Sequence, residues 1–148
     1  MFDPSQQDVR RFFCETRRKQ REREPLTPLE SIAADWIAEH PEYHAALDDP
    51  QRALSERFDA ADGRGNPFLH LSMHLAIAEQ LSIDQPPGIR QLWEQLTARL
   101  GDPHPAAHEV MECLGEVLWR AQRTGQPPDG AAYLECLQQR ASASRHPR

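Results

Sequence analysis

What this chain has little of narrows the field first. It holds three cysteines, Cys14, Cys113 and Cys136, and no C-x-x-C. A multi-cysteine zinc cage is thereby excluded. Scattered single thiols fit a reducing compartment, so free thiols in a cytoplasmic protein are expected. β-Branched residues are scarce and no run alternates apolar and polar with period two, which argues against sheet. No stretch approaches the roughly eighteen apolar residues of a membrane span. The opening MFDPSQQDVRR has no apolar run behind a basic start, so no secretory leader is expected. The glycines form no phosphate-binding loop, since GRGNP reads as a turn before a helix cap. A serine nucleophile elbow is also missing.

What is present describes a helical protein. The chain has 148 residues, of which 39% are hydrophobic, enough for one domain with a real core. Its thirteen prolines sit mainly in short clusters and read as element boundaries. The net charge is −6 but unevenly spread. Residues 10–23 carry seven basic side chains against Glu15 and Glu22, which makes that segment +5 and the remainder −11. An acidic body argues against a broad nucleic-acid surface, and the basic segment has no interleaved aromatics to stack bases.

The pattern predicts an all-α, compact single-domain bundle of about six helices over residues 1–141, with 142–148 a disordered tail. Helices are expected near 5–22, 28–40, 42–48, 66–82, 88–100, 103–124 and 130–140, the third very short. Thr27-Pro28 and Asn66-Pro67 each place a capping side chain before a proline at the first helical position. Residues 49–65 read as a polar loop with one helical turn around Arg52 to Phe58. Helix 66–82 is the most apolar and is expected at the centre.

That helix raises the main chemical question. At about 100° per residue, His70 and His74 fall in the middle of its apolar face, near Leu71, Ile77 and Leu81, with Ser72 and Glu79 opposite. Buried imidazoles need partners for their nitrogens, and i,i+4 spacing lets two rings share one metal ion. Leu71 follows His70 where a zinc protease carries its glutamate, so no built-in hydrolytic base exists here. A ferritin-like di-iron site needs paired E-x-x-H motifs, which are missing.

Further ligands are sought in HEVMECLGE. His108 and Glu112 are again i,i+4, and a two-helix site of His70, His74, His108 and Glu112 would resemble bundle metal sites. Both lie opposite the stripe of Val110, Leu114, Val117, Leu118 and Ala121, beside Trp119, so they face a core only if this helix is buried on two sides. His40 and His44 in HPEYH are separated by Pro41, and a turn or capping role is expected for them. Glu30 is expected to stabilise the start of the second helix. Cys113 is expected to be an inert, part-buried thiol.

Three stretches, LTPLESIAADWIAEHPEYH, NPFLHLSMHLAIAEQLSIDQPPGIR and HEVMECLGEVLWRAQR, resemble an uncharacterised bacterial family, domain of unknown function 1841. The resemblance implies a small bacterial protein and supplies no activity. Function is therefore read from the residues: a cytoplasmic helical protein binding one transition-metal ion, zinc, iron, nickel or copper, through a buried histidine pair. The residues assign no reaction. The alternative is a non-enzymatic interaction module, with structural histidines and an acidic protein partner at Arg17, Arg18 and Arg21.

Overall fold

The computed structural model describes residues 6–55 and 66–143. Among them are eight α-helices and no strand: α1 (Gln6–Glu22), α2 (Pro28–Ala38), α3 (His44–Leu47), α4 (Pro50–Ser55), α5 (Pro67–Ile83), α6 (Ile89–Leu100), α7 (Pro103–Thr124) and α8 (Gly130–Ser142). The all-α expectation holds, and the count of about six is corrected to eight. The residues expected as one short helix divide into a 3-10 turn, Pro41–Tyr43, and α3. The expected polar loop opens with α4, whose Arg52 N–H bonds to the Asp49 carboxylate at 3.2 Å. The rest of that loop, 56–65, lies outside the described residues, as do 144–148 of the expected tail.

The chain falls into two compact units, Met1–Leu75 and Ala76–Arg148, so the division runs through α5. In the first unit, α1 packs on α2, α3 and α4. Phe13, Cys14, Ala33, Ile37, Leu47, Ala53, Phe68 and Leu71 are buried together there. Arg10 is buried with them; its Nη1 donates to the Ala53 carbonyl at 2.9 Å, and its guanidinium lies 5.5 Å from the Phe68 ring centroid. In the second unit α6, α7 and α8 pack pairwise. Ile89, Leu96, Ala106, Val110, Cys113 and Leu137 are wholly buried there.

The helix starts are set as the caps predict. Thr27 and Glu30 form a reciprocal capping box: the Glu30 N–H bonds to the Thr27 hydroxyl at 3.1 Å and the Thr27 N–H to the Glu30 carboxylate at 2.9 Å. Glu30 also receives Lys19 Nζ at 3.1 Å. The Asn66 side chain accepts the N–H groups of Phe68 and Leu69 at 2.9 and 3.2 Å, fixing the entry of α5. Beyond α5, the Asp84 carboxylate accepts the N–H groups of Gly88 and Arg90, and Arg90 returns its guanidinium to the carbonyls of Leu81 and Ser82. The DQPPGIR linker is thus a closed hydrogen-bonded clasp on the end of α5. Gly101 and Gly125 end α6 and α7 at φ 76° and 70°, the left-handed region that favours glycine.

The cysteine expectation is corrected. Cys113 of α7 and Cys136 of α8 form a disulfide, and Cys14 alone is a free thiol. Their 23-residue separation crosses a helix turn, and packing of α7 on α8 sets the Cα atoms 5.8 Å apart. No helix among the described residues is long and apolar enough to cross a membrane.

Candidate metal centre

His70 and His74 sit one turn apart on α5, as the wheel requires. His74 is 1% exposed and His70 is half-buried. The Nε2 atoms of the two rings are 3.2 Å apart. A third imidazole completes the cluster. His40 follows α2 and precedes Pro41, whose ring pushes it out of the helical region to φ −127°, ψ 66°. His40 is 2% exposed, and its Nε2 stands 3.1 Å from His70 Nε2. The ligand atoms of the three rings all lie within 4.8 Å of one another.

Each ring is held from behind. His40 Nδ1 lies 2.7 Å from the Trp36 carbonyl. A carbonyl only accepts, so Nδ1 carries the proton and Nε2 presents its lone pair in the neutral ring. The Trp36 indole stacks on His74, with centroids 3.9 Å apart and planes 14° from parallel. Tyr43 lies parallel to His40 at 5.3 Å and meets His70 edge-on at 5.8 Å. Burial, with Glu42 nearby, raises the Tyr43 phenol above its ordinary value, so it stays protonated at neutral pH.

Protons alone cannot make both short nitrogen contacts with neutral rings. His70 Nε2 faces His40 Nε2 and His74 Nε2 together. If it carries a hydrogen it can donate to one of them and has no lone pair for the other. If it carries none, it meets the lone pair of His40. Satisfying both requires a charged imidazolium, which is costly at this burial. One cation satisfies the three facing Nε2 atoms at once. With metal–nitrogen distances of about 2.0–2.1 Å, nitrogens 3.1–3.2 Å apart subtend angles of roughly 95–105°. The three imidazoles therefore form a cluster able to hold a metal ion.

His44 is the contrasting case. Its Nε2 bonds to the Ile37 carbonyl at 2.9 Å, an ordinary structural histidine as expected. The turn role expected of His40 holds for its backbone, whose carbonyl accepts the Tyr43 N–H at 2.9 Å, while its side chain joins the cluster. Glu30 stabilises the start of α2, as expected.

In the second unit, His108 is half-buried on α7, and its ring centroid is 4.5 Å from that of His104. Glu112 is 64% exposed, and its carboxylate binds Arg140 Nη1 at 2.6 Å. Trp119 and Leu118 are exposed at 55% and 40%, with the Arg123 guanidinium over the indole at 4.7 Å. Leu118 was expected in the apolar stripe, and its exposure corrects that place; Trp119 is exposed on the other side, so the condition for Glu112 to face a core is not met there.

The basic helix is largely self-neutralised. Arg17 and Arg21 reach Asp48 at 2.9 and 3.4 Å, and Arg18 pairs with Glu15, Glu22 and Glu24. An acidic partner would have to compete with these carboxylates.

Residues 5–139 match the family described as Domain of unknown function (DUF1841), and the chain belongs to that family. No curated protein and no solved structure matches it.

Proposed function

We propose that this member of the DUF1841 family binds a divalent first-row transition-metal ion through His40, His70 and His74. The reading is carried by the double contact at His70 Nε2, 3.1 Å to one ring and 3.2 Å to another, which neutral rings cannot satisfy with protons. Neutral nitrogen donors suit zinc, iron, nickel and copper and do not suit magnesium or calcium, which prefer oxygen. No carboxylate or thiolate among the described residues belongs to the group, so the bound ion keeps its full charge. Glu112, engaged by Arg140, is left out of the ligand set. His40 takes the place that spacing suggested for it.

Trp36 and Tyr43 serve as supports. The Trp36 carbonyl fixes the His40 tautomer that can bind metal, as the outer partners of metal-ligating histidines commonly do. The test is calorimetric titration of chelator-stripped protein with Ni2+ or Zn2+. One equivalent should bind. Single alanine variants of His40, His70 and His74 should each weaken binding at least about tenfold, since loss of outer partners alone costs about 10–100-fold. Glu112→Ala should leave it unchanged. Unchanged affinity in the His40 and His70 variants would overturn the assignment.

A further inference from the structure

Within the first unit, α1 borders a cavity that plays no part in the metal-binding reading. Arg11, Cys14, Glu15 and Arg18 recur at steps of one, three and four residues, which places them on one side of the helix. Across from them stand Leu47 of α3 and Pro50 and Leu54 of α4. The space between is about 670 Å³. Small-molecule pockets commonly enclose about 300–1,000 Å³, with apolar walls and a few placed polar groups.

The floor is apolar and the rim is charged. Cys14 and Leu47 are buried, and Leu54 is half-buried. Burial, with Asp48 and Asp49, raises the Cys14 thiol to about 11, so it carries no charge at neutral pH. The rim charges are unequally committed. Glu15 is held by Arg18 at 2.6 and 3.1 Å. Asp48 is held by Arg17 at 2.9 Å and by Arg21 at 3.4 Å. Both lining carboxylates among the described residues are thus matched. Arg11 instead reaches Asp8, outside the cavity, at 3.4 Å, in a pair 61% and 54% exposed. Such exposed pairs contribute little, so Arg11 can turn to another carboxylate at small cost.

We propose that this cavity binds a monocarboxylate with an extended apolar body, of the medium-chain fatty-acid class. The head pairs with Arg11, whose planar fork matches both oxygens of a carboxylate. The chain runs past Cys14, between α1 and the side chains of Leu54, Pro50 and Leu47. Burial of the chain supplies affinity in proportion to its apolar area. Arg11 selects the charged head and fixes which way the chain lies.

Calorimetric titration of the full chain with octanoate and with 1-octanol tests this. One equivalent of octanoate should bind, and octanol should bind at least about tenfold more weakly, since a hydrogen bond to a charged group is worth roughly that factor. Arg11→Gln should lower octanoate affinity about tenfold and leave octanol unchanged. Arg21→Gln should change neither. Leu54→Trp fills the trough and should abolish binding of both; a folded Leu54→Trp protein that binds like the parent would place the chain elsewhere. Arg11 is exposed, so its variant keeps the test if Leu54→Trp does not fold. Equal affinity for octanoate and octanol, or an Arg11→Gln protein that binds octanoate like the parent, would overturn the recognition of an anionic head. A parent that binds no octanoate would overturn the site, and the metal-binding reading would stand apart from either result.

Discussion

The indole of Trp36 lies on the imidazole of His74, centroids 3.9 Å apart and planes 14° from parallel. The carbonyl of the same tryptophan accepts from His40. One residue of α2 thus orients two of the three rings. Loading with Cu2+ or Ni2+ should quench Trp36 fluorescence strongly. Trp36→Phe keeps the carbonyl and an aromatic face, so it should remove that signal and lower Ni2+ affinity by less than His74→Ala does. Equal quenching in Trp36→Phe would place the ion elsewhere.

The capping box gives a stability prediction. Thr27→Ala removes the hydroxyl that accepts the Glu30 N–H and should cost about 1 kcal/mol in chemical denaturation. A change within error would mean that water replaces the cap.

Glu30 adds a pH dependence. The Thr27 N–H and then Lys19 hold its carboxyl below the ordinary value of 4.5. As pH falls, the unfolded chain takes up this proton first. Its contribution is therefore fully present above about pH 4.5 and is lost as pH drops through the folded-state value. Glu30→Gln should flatten the acid limb of the stability curve relative to the parent. An acid limb of unchanged slope would show that Glu30 contributes nothing to it.

The disulfide cross-links α7 to α8. Closing a loop with a 23-residue separation should stabilise the folded chain by about 3 kcal/mol on the chain-entropy account. Cys113→Ser/Cys136→Ser should lower the unfolding midpoint accordingly. Cys14 should behave differently: burial, with Asp48 and Asp49, raises its thiol to about 11. It should resist alkylation at pH 8 in the native protein and react at once in denaturant. Rapid alkylation without denaturant would show that its pocket opens.

Local signals were the legible part. Caps, prolines and terminal glycines mark most helix boundaries, because the orphan groups at helix ends must be satisfied by nearby side chains. The i,i+4 pair His70/His74 is visible on a wheel for the same reason. Contacts between remote elements were not legible. His40 meets His70 from 30 positions away, and the proline that hides it from a spacing rule is what turns it out of the helix. Its place beside Trp36 and Ile37 was the available signal. Glu112 has attractive spacing, yet Arg140 on another helix claims it from 28 positions away. The Cys113–Cys136 bond depends on how α7 packs on α8, which no spacing rule reports.

The central claim is that these histidines hold a metal ion, and metal content tests it most directly. Untagged protein should be loaded with mixed transition metals, desalted and analysed by elemental mass spectrometry beside a His70→Ala/His74→Ala variant. The account predicts near-stoichiometric metal in the parent and little in the variant. An equally metal-free parent and variant, differing in stability alone, would contradict it and make the imidazole cluster a feature of packing.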